Sequence, residues 1–390
     1  MLYRTFPKVK DKLSTLGFGC MRLPVLDNDP TKIDEAKAGE MLVYAINNGV
    51  NYIDTAFPYH GTGMLEPGMS EPFVGKVLKK GFRNKVKLAT KLPSWLVQSR
   101  TDMDRFLDLQ LQRLQTDFID FYLIHSLNKE LWQSMVDKGV ADFLDSAIAD
   151  GRIKHAGFSF HDNSKILFKE IVDAYDWTFC QIQYNYLDED YQAGREGLEY
   201  AVSKGLGIVV MEPLRGGSLA TNLPLEAETA FRNSNSERTA VDWALRWLWN
   251  QQDVSVVLSG MSDITQVTEN IKTAADFGVK TLSVSELDTV GRVKAILQNK
   301  VRVGCTACGY CMPCPVGVDI PQNFKYLNDF YRFDDAQNKR HSMIMYNRLL
   351  DEKQKAPACV ECGQCEDHCP QGISISEKLK EVDSTLAMSF

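Results

Sequence analysis

The chain has 390 residues, 44% of them hydrophobic and 24% charged, which excludes wholesale disorder and a fibrous repeat. Lys+Arg 44 against Asp+Glu 51 leaves a net charge of −7 with no long basic block, so no nucleic-acid partner is expected. Charges run through the N-terminal segment and no window approaches roughly 18 consecutive apolar residues, so a cytoplasmic protein with neither signal peptide nor membrane association is expected.

Up to about residue 275, short apolar runs alternate with longer helical periods. The runs 15–20, 51–56, 85–90, 118–124, 153–159, 179–183, 205–211 and 254–260 suit buried parallel strands. Residues 35–48, 71–80, 101–115, 130–149, 164–173, 194–203, 237–249 and 263–275 suit helices. In the third of these, Leu107, Leu111 and Leu114 share one face at i, i+4 and i+7. Eight strands alternating with eight helices is the arithmetic of a closed (β/α)8 TIM barrel of the α/β class. An open doubly wound sheet needs a phosphate-binding glycine fingerprint, and GFGCMR (17–22) does not supply G-x-G-x-x-G ahead of a helix. A further helix is expected at 285–297, with Ser285 as its N-cap.

A barrel places its chemistry at the C-terminal ends of its strands. Asp54 and Tyr59 follow the second run, Lys91 the third and His125 the fourth. Any one of them alone reads as readily as a structural group; four on consecutive strands point to a site. The segments LGFGCMRLP (16–24), NYIDTAFPYH (51–60), ATKLP (89–93), FYLIHS (121–126), GFSFH (157–161), QIQYN (181–185), EPLRGG (212–217) and SGMSDITQVTEN (259–270) resemble the aldo/keto reductase family over about residues 1–280. That resemblance implies a barrel that binds NADP or NAD without a Rossmann domain and acts on a small-molecule carbonyl or alcohol substrate. It implies Tyr59 as general acid, Lys91 as the cation beside it, Asp54 as the partner of the lysine and His125 as the substrate-orienting group. The residue types fit this chemistry: a phenol with a pKa near 10 is a reluctant donor, and a neighbouring ammonium favours its ionised form.

The same resemblance places Ser159 and Gln181 on the nicotinamide carboxamide, with His161 able to share the role of Ser159. Met211, followed by Glu212, stands where the family often stacks an aromatic on the ring, and a thioether packs there in its place. Glu269 and Asn270 match the adenine contacts. Gln266 falls where NADPH-preferring relatives often carry an arginine, and its neutral amide offers no charge match to a 2′-phosphate. In the Gly/Pro-rich stretch 60–75, Ser70 and Glu71 read as the cap of a helix, and Trp95 and Tyr186 as packing or pocket-lining aromatics.

Of ten cysteines, Cys20 and Cys180 stand alone and the other eight lie between Cys305 and Cys369. Cys305, Cys308, Cys311 and Cys314 are spaced C-x2-C-x2-C-x2-C-P; Cys359, Cys362, Cys365 and Cys369 are spaced C-x2-C-x2-C-x3-C-P. Zinc is the rival metal, but it favours two separated pairs around a loop, whereas three cysteines at every third residue before a Cys-Pro are the bacterial ferredoxin arrangement. Two 4Fe-4S clusters are therefore expected. In two-cluster ferredoxins the last cysteine of each motif serves the other cluster, which here implies Cys305, Cys308 and Cys311 with Cys369, and Cys359, Cys362 and Cys365 with Cys314. The first motif departs from that pattern by one residue before Cys314. Two helices are expected in the 44-residue insertion 315–358, from Tyr326, Leu327, Phe330, Ile344, Leu349 and Leu350.

The expected organisation is a reductase-like barrel over 1–280, a linker helix over 281–300 and a mainly helical ferredoxin-like iron–sulfur domain over 301–390. The leading function is hydride transfer coupled to, or regulated by, two clusters, with a redox protein as a further partner. The alternative is a redox-sensing or electron-transfer module with a vestigial reductase site.

Overall fold

The computed structural model describes residues 1–390 except 222, 306–308, 310, 334–335, 370 and 388–390. A short antiparallel hairpin, β1 (Tyr3–Arg4) and β2 (Leu13–Ser14), precedes eight parallel strands. These are β3 (Leu16–Gly19), β4 (Tyr52–Asp54), β5 (Lys87–Leu92), β6 (Ile119–Leu127), β7 (Ile153–Phe160), β8 (Phe179–Gln183), β9 (Gly207–Met211) and β10 (Val254–Ser259). They pair in sequence order, and β10 returns to β3 with Val257 opposite Leu16, so the barrel is closed. Each apolar run read from the sequence overlaps one of these strands, with β5, β6 and β7 running on past the expected ends at 90, 124 and 159, and the buried Val, Ile and Leu of β9 and β10 show why such runs need no polar alternation.

The hairpin was not legible, because two residues per strand carry no period. Its loop delivers Phe6 into the barrel, stacked on Phe179 at 5.6 Å and edge-on to Phe121 at 5.4 Å. Gly207 makes room for that ring, since a Cβ there would stand 2.1 Å from Phe6. The expected helix 130–149 is two helices, Lys129–Asp137 and Val140–Ala149, broken at Gly139 where φ is +76°.

The chain forms two compact units, one of residues 1–216 and 241–284, the other of 217–240 and 285–390. The sequence reading kept 217–240 with the barrel. In the structure this segment carries a helix, Leu225–Ser234, and groups with the second unit. There Ser218 Oγ donates to Asn338 Oδ1 at 2.7 Å, and Thr289 Oγ1 donates to Ser234 Oγ at 3.1 Å.

The second unit is helical, and its two insertion helices are Ile320–Arg332 and Ala336–Leu349. Tyr326, Leu327 and Leu350 are buried as expected, whereas Leu349 is 58% exposed. A C-terminal helix, Ile375–Leu386, adds Leu379, Val382 and Leu386 to a core shared with Val318, Ile320, Phe324 and Tyr346. No helix among the described residues is long and apolar enough to cross a membrane.

Phe6→Ala should lower barrel stability by about 3–5 kcal/mol, the usual cost of emptying a well-packed aromatic site. Chemical unfolding followed by far-UV circular dichroism checks this, and an unchanged midpoint would show that the ring does not seal the barrel.

Candidate active site and cysteine cavities

The ends of β4, β5 and β6 bring the four expected polar residues together. Lys91 Nζ donates to both carboxylate oxygens of Asp54, at 2.6 and 2.8 Å, and to the carbonyl of Thr55 at 2.9 Å. Tyr59 OH lies 3.4 Å from the same nitrogen. The register explains the meeting: Asp54 pairs with Ala89, and Lys91 stands two residues further along β5 on the same face. His125, on β6, sets its ring edge-on to Tyr59 at 6.2 Å between centroids. Trp95 packs against His125 at 5.2 Å and donates its indole N–H to Met64 O at 2.9 Å. Tyr186 is buried against Trp247 instead.

Lys91 has no solvent exposure, so desolvation opposes its charge; Asp54 first, then Tyr59, more than restore it and hold the ammonium above the ordinary lysine value. Burial lifts the Asp54 carboxyl, with Lys91 pulling it back. For Tyr59 burial outweighs the pull of Lys91, so the phenol lies above its ordinary value. The lysine acts in the direction expected from the sequence, lowering the value; burial, which that reading did not include, makes the net shift upward. Burial, then Lys91 and His161, push His125 well below the usual imidazole value, so the ring is neutral at pH 7, and its Nδ1 has no hydrogen-bond partner among the described residues.

The residues expected to meet a cofactor divide by burial. Ser159 is buried, its Oγ accepting from Ser126 N at 2.8 Å, while the His161 side chain is exposed. Gln181 donates to Met211 Sδ at 3.5 Å, and its Oε1 is a buried acceptor without a donor among the described residues. A primary carboxamide fits that acceptor. Asn270 is buried and donates to Ser259 Oγ at 3.1 Å, whereas Glu269 and Gln266 are exposed. The Gln266 amide oxygen already accepts from Ser262 N at 2.9 Å. Glu212 takes a left-handed φ of +54° and lies 4.0 Å from Arg22, which donates to Gly216 O at 2.8 Å. Arg215 is paired with Asp188 at 2.9 Å.

Sequence reasoning missed a buried polar layer behind the tetrad. The helix Ser70–Leu78 has Met69, not Ser70, at its N-cap. Ser70 Oγ donates to Cys20 O at 2.9 Å, and Glu71 is fully buried among Thr90, Gln110 and Arg113. A glutamate in a first helical turn looks like a dipole partner in sequence; only the fold shows that this one faces inward.

In the second unit two cavities are lined by thiols among the described residues. Cys305, Cys311 and Cys369 line one, with Ile320, Phe324, Ile373 and Ile375. Cys314, Cys359, Cys362 and Cys365 line the other, with Val318, Ile320 and Leu379. Cys308 lies outside the described residues. Each motif's last cysteine thus faces the other motif's cavity. Cys314, Cys359, Cys362, Cys365 and Cys369 carry free thiols. Thiols around an apolar hollow are a donor set that fits an iron–sulfur cluster.

A closed parallel barrel with this charged set at its mouth, followed by a thiol-lined helical unit, defines a (β/α)8 oxidoreductase with a ferredoxin-type appendage. Residues 15–292 match the model of the aldo/keto reductase family, and residues 304–373 match a 4Fe-4S dicluster domain. The chain belongs to the aldo/keto reductase family, and its second unit carries a 4Fe-4S domain. It is similar to "Probable aldo-keto reductase 1" of Glycine max, 25% identical over 311 residues, covering 71% of this chain and 84% of that protein. It is also similar to "L-galactose dehydrogenase" of Arabidopsis thaliana, 26% identical over 309 residues, covering 74% and 91%. Among solved structures, the holo form of aldo-keto reductase AKR11C1 from Bacillus halodurans superposes with a TM-score of 0.61 at 26% identity, over 75% of this chain and 96% of that one.

The depressed His125 carries a pH signature. Below about pH 6.5 the unfolded chain protonates this imidazole and the folded chain does not, so stability falls as pH drops through that value. Unfolding midpoints measured between pH 7 and 5 should decline less steeply in His125→Gln than in the native protein; equal slopes would show that His125 is accessible to protons in the fold.

Proposed function

We propose that this reductase transfers hydride between NAD or NADP and a small carbonyl or alcohol substrate, with Tyr59 as general acid. The observation that carries the reading is the line Asp54–Lys91–Tyr59, with a buried lysine held by three oxygens and directed at one phenol. The nicotinamide supplies the hydride when bound. In reduction, charge grows on the substrate oxygen and Tyr59 OH gives it a proton. Burial keeps that proton on the phenol until it is needed, and Lys91 stabilises the phenolate left behind. Neutral His125 donates a hydrogen bond to the same oxygen and fixes its trajectory. Gln181 and Ser159 hold the carboxamide, Met211 packs beside the ring, and Glu269 and Asn270 meet the adenine. Gln266 supplies no charge for a 2′-phosphate, which is why both cofactors stay in the reading.

The clusters are read as two 4Fe-4S centres with exchanged last ligands. Cys305, Cys308 and Cys311 with Cys369 hold one, and Cys359, Cys362 and Cys365 with Cys314 hold the other. The linings of the two cavities support this division. Nicotinamide moves two electrons as hydride while a cubane moves one, and no flavin motif stands between them in the sequence. Regulation of the barrel site is therefore favoured over electron delivery into it. The course of the chain supports regulation: it passes Met211, Glu212 and Arg215, leaves the first unit at Gly216, and its next residues, 217–240, belong to the second. A redox protein would then set the state of the clusters.

Tyr59→Phe should lower reduction of a small aldehyde by at least roughly 10²-fold while nicotinamide affinity, read by tryptophan fluorescence, hardly changes. Retained turnover would remove the general acid and favour the binding-module alternative. Anaerobic protein should contain about eight iron and eight acid-labile sulfide per chain. Chelation of the iron should then weaken nicotinamide binding. Four of each element would retire one cluster, and unchanged affinity after chelation would retire regulation through 217–240.

A further inference from the structure

Glu71, in the first turn of the helix Ser70–Leu78, is fully buried behind the mouth of the barrel. Its Oε1 accepts from Thr90 Oγ1 and from Gln110 Nε2, both at 2.7 Å, and its Oε2 accepts from Arg113 Nε at 2.9 Å. A buried ion pair is a poor device for stability, because apolar residues of the same volume commonly serve as well. What it supplies is geometry, since every donor around it must keep its place.

Two paths run from this carboxylate to the reacting groups. The first goes through Arg113, whose guanidinium also donates to Gly68 O. Gly68 belongs to a segment folded back on Tyr59: Gly68 N donates to Phe57 O at 2.8 Å, Met69 N to His60 O at 3.0 Å and Ser70 N to Tyr59 O at 3.1 Å. A Cβ at Gly68 would lie 2.0 Å from the Tyr59 carbonyl, so only glycine lets these strands of loop approach. The second path goes to β5. Thr90 precedes Lys91 directly, and Gln110 Nε2 also donates to Lys91 O at 3.0 Å. Gln110 is fixed in turn by Tyr122 OH on its Oε1 at 2.8 Å.

Resting on Tyr59 as general acid, we infer that Glu71, acting through Arg113 and Gln110, is a positioning residue that sets the distance between Tyr59 and Lys91. It touches neither group's reactive atom. It ties the loop that carries the phenol to the strand that carries the ammonium, so loosening it separates the two.

The test uses the cluster-loaded protein under anaerobic conditions. In Glu71→Gln an amide N–H₂ replaces one carboxylate oxygen and confronts donors; in Arg113→Lys a single ammonium replaces the fork that reaches both Glu71 and Gly68 O. Both should lower kcat for a small aldehyde by about tenfold or more, since a displacement of order 1 Å costs that much, with nicotinamide affinity hardly changed. The alkaline limb of the rate profile should move up, because a phenol further from Lys91 loses part of the pull that lowers its pKa. Thr90→Val, which deletes one donor, should share the loss, and Thr90→Ser should recover most of it. This pair keeps the idea testable if Glu71→Gln fails to fold. Folded variants with unchanged kcat and an unmoved alkaline limb would overturn the positioning role. Tyr59→Phe separates the two readings: if it is inactive while Glu71→Gln and Arg113→Lys are normal, only positioning fails, and if it is fully active the general-acid reading fails and positioning with it.

Discussion

Lys91 carries a charge with no access to water, and an ammonium so placed is tolerated only where protein oxygens replace its hydration. Asp54 supplies two of those oxygens and the Thr55 carbonyl a third. All three come from β4 or the residue that follows it, so the parallel pairing of β4 with β5 is what solvates the lysine. Tyr59 OH then lies 3.4 Å from the same nitrogen. A barrel that failed to close, or that slipped by one residue between these strands, would turn Lys91 to the wrong face and bury it unpaired.

That dependence explains what could be read before any coordinates. The eight apolar runs were legible because strands buried on both faces need no alternation, and a run of four to eight Val, Ile and Leu residues has few other uses. The tetrad was legible because its members lie at strand ends, where chain order and spatial order coincide in a barrel. Glu71, Gln110 and Arg113 were not, because their partners lie 12 to 45 residues away and nothing local marks them. The break at Gly139 was missed because a single glycine inside an apolar period gives no warning that its φ is +76°. The helix Leu225–Ser234 was lost between its flanking Pro224 and a stretch too short to show a clear face.

The association of 217–240 with the second unit lies beyond any local reading. Nothing in the composition of that segment separates it from the barrel helices; it is assigned by what it packs on, and Ser218 and Ser234 find their partners at Asn338 and Thr289. The cysteine spacing was legible as ligand chemistry, yet the placement of Cys314 was open because its motif is one residue short. In the folded unit Cys314 lines the cavity of the second motif and Cys369 that of the first, so the shortened spacing is absorbed without changing which hollow each thiol faces.

The side chains proposed to meet a cofactor differ in burial, and the difference runs through the adenine end itself, where Asn270 is buried and its neighbour Glu269 is not. Ser159, Gln181 and Asn270 are buried, so their orientations are fixed by neighbours before any ligand arrives. Gln266 and Glu269 are exposed on the helix Ile264–Ala275, where solvent competes for every hydrogen bond they make. Discrimination between two nicotinamide cofactors rests on one phosphate group, and an exposed neutral amide is a weak instrument for it. The proposed proton delivery would rest instead on a buried ion pair with a second buried carboxylate behind it, where the low local dielectric makes each contact count for more. The fold has thus put its stiffest polar construction behind the phenol and left Gln266 and Glu269 in solvent, which is the order expected if the proposed transfer depends on where one proton sits.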